Sequence, residues 1–160
     1  MNGEWKDNAI YGHIKEIYTN GDIFIFEGQY KDNKRNGYGI YKFKSGSVFE
    51  GEYKDNERNG HGILKMKSGD IYDGEWKDNK YNGYGIYKFK NGDVFEGQFK
   101  DSQKNGHGIL KLKDGNIYEG EWGDDLIVKY GYENENSFIK IEDKFKEWSR
   151  KIYIYKWRNI

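Results

Sequence analysis

The chain has no cysteine and no proline in 160 residues. Without cysteine there is no disulfide and no thiolate metal site. It also lacks a charge excess: Lys plus Arg and Asp plus Glu both number 27. A general nucleic-acid binder carries a basic surplus, so the balance argues against that class. No stretch approaches the ~20 apolar residues of a membrane span. The opening Met1–Asn8 has no apolar segment of the signal-peptide kind. A cytoplasmic location is the expectation. Mean hydropathy is only −1.11, a value that on its own points to disorder. Aromatic residues make up 18% of the chain, and the zero net charge and missing proline also oppose disorder. Together these features predict an ordered, thin fold with much surface and little deep core.

What is present is one sentence, repeated. Its cleanest copy is Gly74–Glu96, G-E-W-K-D-N-K-Y-N-G-Y-G-I-Y-K-F-K-N-G-D-V-F-E. It begins again at Gly28, Gly51, Gly97 and Gly120, with a period of 23 residues. The apolar period within a copy is two, which predicts strands. Along Gly37–Lys44, one face takes Gly39, Tyr41 and Phe43, and the other takes Tyr38, Ile40, Lys42 and Lys44. Along Val48–Lys54, one face takes Phe49, Gly51 and Tyr53, and the other takes Val48, Glu50, Glu52 and Lys54. Ser45-Gly46, Ser68-Gly69, Asn91-Gly92 and Asp114-Gly115 read as two-residue type I′ hairpin turns. Lys54–Asn59 reads as a longer polar link between hairpins. Lys42 and Lys44 are expected opposite Glu50 and Glu52, keeping that face soluble.

The organisation expected is four-part. Residues 1–27 are a divergent first copy. In it Ile14 replaces the second glycine, and two extra residues in 22–27 predict a longer strand or a bulge. Residues 28–122 are the regular array. Residues 123–136 are a degenerate last half-repeat, with a final strand at Val128–Tyr132. In residues 137–160 the period changes. Phe138, Ile141, Phe145, Trp148, Ile152 and Tyr155 fall on one helical stripe, with Asn136 or Ser137 as N-cap. From 137 to 158 there are seven basic residues against three acidic. The segment reads as a cap on the open sheet edge, a docking or dimerisation helix, or a basic membrane-surface or calmodulin-type segment. Its last turns, Ile152–Tyr155, also alternate and could be extended.

A longer period overlies the first. Residues 28–73 and 74–119 match at 32 of 46 positions, with N-G-Y-G-I-Y-K-F-K alternating with N-G-H-G-I-L-K. This reads either as recent duplication of a two-copy unit or as a binding surface repeating every second hairpin.

The pattern aromatic-x-Gly-x-aromatic, then G-x-G, then a turn glycine, resembles the MORN repeat (membrane occupation and recognition nexus). Phe49–Tyr53 with Gly60-His61-Gly62 and Gly69 is one match. Tyr72–Trp76 with Gly83-Tyr84-Gly85 and Gly92 is another. The family's mid-loop glycine is replaced by Asn33, Asn56, Asn79 and Ser102. The resemblance covers about residues 3–122. It implies a mainly β fold: a single-layer, twisted row of antiparallel hairpins shaped like a trough, here with the amphipathic C-terminal helix added. It also implies a scaffold or adaptor that takes an extended or helical protein segment, with membrane binding also attributed to the family. Enzymes carrying such repeats have separate catalytic domains.

Candidate sites follow. His13, His61 and His107 recur at one place in their copies, yet equivalent positions in adjacent copies lie ~10 Å apart, too far to share a metal. The glycines of Gly37-Tyr38-Gly39 open a strand rather than a helix, which opposes a phosphate cradle. No nucleophile–base arrangement, paired-acid cleft or Walker-type loop stands out. The expectation is a non-enzyme with no metal and no cofactor. The aromatic face is the candidate surface: Tyr41, Phe43, Tyr53, Trp76, Tyr87, Phe89, Phe99 and Trp122, with Phe49, Leu64, Met66, Tyr72, Phe95, Leu110, Leu112 and Tyr118 in the same row. A single-layer sheet has no second sheet to cover that face, and large exposed apolar strips mark binding surfaces. The partner expected is a protein segment. An anionic membrane reached through the basic helix, a place in a cytoskeletal or ciliary assembly, and self-association through open sheet edges are the alternatives.

Overall fold

A computed structural model describes residues 2–6, 9–31 and 34–130. The described residues form one sheet of 12 antiparallel strands in strict sequence order. They are β1 (Asn2–Lys6), β2 (Ala9–Ile17), β3 (Ile23–Lys31), β4 (Lys34–Lys42), β5 (Val48–Lys54), β6 (Glu57–Lys65), β7 (Ile71–Lys77), β8 (Lys80–Lys88), β9 (Val94–Lys100), β10 (Gln103–Lys111), β11 (Ile117–Gly123) and β12 (Leu126–Tyr130). The expected row of hairpins is therefore present. The expected C-terminal helix, with Phe138, Ile141, Phe145, Trp148, Ile152 and Tyr155, lies outside the described residues.

The two turn types are the reverse of the sequence expectation. At Ser45-Gly46 the Gly46 N–H donates to the Phe43 carbonyl and the Phe43 N–H donates to the Ser47 carbonyl, both at 2.9 Å. The loop is thus Lys44-Ser45-Gly46, three residues long, and only Gly46 has positive φ (102°). This is a type I turn closed by a glycine bulge. The tight two-residue turns are at the other end, where Lys54 pairs directly with Glu57. There Asp55 and Asn56 have φ of 52° and 74°, as a type I′ turn requires. Asp78-Asn79, Asp101-Ser102 and Asp124-Asp125 repeat it. Short polar side chains tolerate left-handed φ, so K-D-N serves where Asn-Gly was sought.

Both turns also tie one copy to the next. The Asn79 Oδ1 accepts from the Arg58 N–H at 2.9 Å, and Asp70 Oδ1 accepts from the Lys90 N–H at 2.8 Å.

One line of glycines crosses the sheet. Gly39, Gly51, Gly62, Gly74, Gly85, Gly97, Gly108 and Gly120 are each paired to the next. With no side chains there, the line is a furrow, and rings of neighbouring residues fill it. A Cβ on Gly62 would stand 2.6 Å from the Phe49 ring, and one on Gly108 2.4 Å from the Phe95 ring. This is how a single layer makes a core: Phe24, Phe26, Phe49, Tyr53, Tyr72, Trp76, Phe95, Phe99 and Trp122 are all buried against their own sheet. Each fully buried ring contributes roughly 1.5–3 kcal/mol.

The first copy solves the same packing problem differently. Later copies shift register by two residues beside the furrow, between Gly51 and Tyr53 for example. β3 and β4 instead pair without a shift from Ile23↔Lys42 to Lys31↔Lys34. The two extra residues lengthen β3 to nine, against seven in β5, and make no bulge. They supply Phe24, whose ring covers Gly39 as Phe49 covers Gly62. The final strand starts at Leu126, two residues earlier than expected, because Asp124-Asp125 is a full turn.

Candidate functional site

The eight aromatic residues expected to line a surface divide into two groups. Tyr53, Trp76, Phe99 and Trp122 lie over the furrow and are buried, Trp76 to 4% exposure. Their rings interlock edge-to-face across copies: Phe24–Tyr53 at 5.3 Å, Phe49–Trp76 at 5.0 Å, Tyr72–Phe99 at 5.2 Å and Phe95–Trp122 at 5.1 Å. Trp76 Nε1 donates to the Gly62 carbonyl at 2.9 Å, and Trp122 Nε1 to Gly108 at 3.0 Å. The inner line is structural.

Tyr41, Phe43, Tyr87 and Phe89 stand nearer the three-residue turns and are half-exposed. Each pair is in contact, with ring centroids 4.6 Å apart. Leu64 with Met66, and Leu110 with Leu112, take the same places in the alternate copies and are half-exposed too. The Tyr87 hydroxyl reaches Met66 Sδ at 3.7 Å. The rim is thus an apolar row, aromatic and aliphatic by turns. The longer sequence period shows itself here.

A row that the sequence reading missed lies over the inner rings at Arg35, Arg58, Tyr81 and Lys104, spaced by the 23-residue period. The Arg58 guanidinium sits 4.5 Å above the Trp76 ring and 5.4 Å above Phe49. Lys104 Nζ stands 5.3–5.4 Å from the rings of Phe89, Phe95 and Trp122. Tyr81 stacks on Tyr72 at 3.7 Å. The signal was available: in four successive copies the second residue after K-D-N or K-D-S is Arg35, Arg58, Tyr81 or Lys104. In the sequence these positions fall within the polar link, because K-D-N carries no glycine to mark a two-residue turn.

These cations differ in pairing. Arg35 Nη2 bonds Glu16 at 2.8 Å and the Tyr18 hydroxyl at 2.6 Å. Burial opposes ionisation of Glu16, but bonds from Tyr18 and Tyr30 and the Arg35 charge hold its carboxyl below the usual range. Burial pulls Arg58 and Lys104 below their ordinary values. Among the described residues neither forms an ion pair with a carboxylate. Arg58 bonds the carbonyl and Oδ1 of Asn79 at 3.1 and 3.4 Å. Asp125, the acid beside Lys104, accepts from its backbone N–H at 2.9 Å.

On the opposite face each of the four G-x-G inserts stands beside an acid. Tyr38 and Tyr84 donate to Glu50 and Glu96 at 2.7 and 2.5 Å. His61 Nε2 stands 3.0 Å from Asp73, and His107 Nε2 3.4 Å from Glu119. The expected pairing of Lys42 and Lys44 with Glu50 and Glu52 is replaced by Tyr38–Glu50, since Lys42 stands opposite Val48. Among the described residues, no group of three potential ligands is placed to hold a metal.

The family model for the MORN repeat matches four times in succession, at residues 26–48, 49–71, 72–94 and 95–117. The chain belongs to the MORN-repeat family. No curated protein sequence matches it. Among solved structures it is similar to the SAS-4 (dCPAP) TCP domain of Drosophila melanogaster, solved in complex with a proline-rich motif of Ana2 (dSTIL). That likeness covers 75% of this chain and 83% of that one, at 16% identity and a TM-score of 0.39. It is too distant for that domain's partner to bear on this MORN-repeat chain.

Proposed function

We propose that this MORN-repeat chain is a non-catalytic scaffold that holds a protein segment against the rim of its ring face. The observation that carries this is the half-exposed strip from Tyr41 and Phe43, through Leu64 and Met66, to Tyr87, Phe89 and Leu110. Its inner neighbours are consumed by the furrow, whereas the strip keeps apolar surface that a partner would bury. The lipid-binding alternative rests on residues 137–160, and nothing in the described residues favours it.

The test is a pull-down from cells that make the protein, comparing wild type with the double substitution Tyr87→Ser and Phe89→Ser. The expected outcome is loss of at least one co-purifying protein while circular dichroism shows an intact sheet. Undiminished recovery by a folded variant overturns the reading.

A further inference from the structure

Of the four positions that lie over the inner rings, Arg35 is satisfied by Glu16 and Tyr81 is neutral. Arg58 and Lys104 remain as cations half-withdrawn from water with no carboxylate in ion-pair contact among the described residues. Removing a cation from water is costly unless it is paired. The rings beneath offset part of that cost, Arg58 also donates to neutral Asn79 and Asp125 lies near enough to Lys104 to favour its charge, but neither cation touches a carboxylate among the described residues. The two lie on β6 and β10, four strand spacings apart, or ~19 Å. That is also the interval at which the rim changes from aromatic to aliphatic and back, and Lys104 Nζ is 5.4 Å from the rim ring of Phe89.

We infer that the ring face carries two equivalent subsites, centred on Arg58 and Lys104, for an extended acidic–apolar peptide segment. Resting on the scaffold reading above, this names the chemistry of the partner. Each subsite takes one carboxylate, and the apolar neighbours of that residue pack on the rim. An extended chain rises ~3.3 Å per residue and returns a side chain to the same side every second residue. Two carboxylates about six residues apart therefore reach both cations from one side of the segment. Neutral Tyr81 lies midway, so the residue between the two anchors need not be charged.

Selection of a displayed random 16-residue peptide library on the full chain tests this. The expected result is enrichment of peptides with two Asp or Glu residues six apart, each beside an apolar residue. Binding of a selected peptide should weaken about tenfold with Arg58→Gln or Lys104→Gln, each changing one contact to a carboxylate. Lys104→Arg should retain it, which separates lost charge from lost packing. Selected peptides without the spaced acids, or acidic peptides whose binding survives both Gln substitutions, overturn the inference. If such peptides still require Phe43 and Phe89, the scaffold reading stands without it. No enrichment of any peptide overturns both.

Discussion

Trp76 and Tyr87 are large rings on the same face of the same sheet, on adjacent strands. Trp76 lies across the glycine furrow, touches Phe49 and Tyr72 edge-on and hydrogen-bonds the Gly62 carbonyl. Tyr87 stands beside Phe89 near the turn, paired with Tyr72, and keeps part of its surface in water. Residue type does not distinguish them. What lies beneath does: where the facing strand offers bare backbone the ring sinks in and becomes core, and elsewhere it stays at the rim. In the single layer that the described residues form, the glycines decide which rings sink into the sheet and which keep part of their surface exposed.

Filling the furrow breaks that distinction most directly. A Cβ at Gly74 would lie 2.5 Å from the Gly85 Cα and 2.7 Å from the Tyr84 carbonyl oxygen. Both are backbone atoms of the next strand and cannot swing aside. Gly74→Ala should cost about 3 kcal/mol or more, the upper part of what overpacking does, read from the urea midpoint. Gly115→Ala is the matched control. Its Cβ meets nothing within 4 Å, although φ is 93°. It should cost about 1–2 kcal/mol, from left-handed backbone alone. Equal costs would mean that the furrow is not the source of packing.

The rings themselves come next. Trp76→Ala removes a buried ring and an indole hydrogen bond and should destabilise by about 3–5 kcal/mol. Tyr87→Ala should cost less, about 1–2 kcal/mol, because part of its surface is already in water. Measured by thermal unfolding, a ratio near one would erase the boundary between inner line and rim.

Much of this was legible in the sequence. The period of 23 and the apolar alternation define the hairpins and place Tyr41, Tyr53, Trp76 and Tyr87 on one face. The division of that face was not legible. It depends on which residues stand opposite each glycine, and that register follows from the turns. Ser-Gly and Asn-Gly have the composition of a type I′ turn, but Phe43 and Ser47 already close the hairpin around three residues. Asp55-Asn56 has no glycine to advertise positive φ. Without that turn, Arg58 and Lys104 belong to a loop in the sequence pattern, and their place over the rings is hidden. Phe24 was hidden for a related reason: its task follows from a register shift that β3 and β4 lack, and no local motif records a shift that does not occur.

The smallest effect sharpens the comparison between the two ends of the hairpins. Among the described two-residue turns, the second position is Asn56, Asn79, Ser102 or Asp125, all with φ between 67° and 74°. Ser102 is the weak member. Serine visits left-handed φ less readily than Asn or Asp. Its Oγ accepts from the Tyr81 N–H at 3.2 Å, where Asn79 Oδ1 accepts the equivalent bond at 2.9 Å. Ser102→Asn should therefore stabilise the chain by about 0.5 kcal/mol, within the range of turn optimisation. Asn79→Ser should lose a similar amount. Thermal unfolding of both variants reads the sign. If Ser102→Asn lowered the midpoint, the left-handed backbone would not be what limits this turn. The tether from each turn to the strand before it would then carry the effect instead.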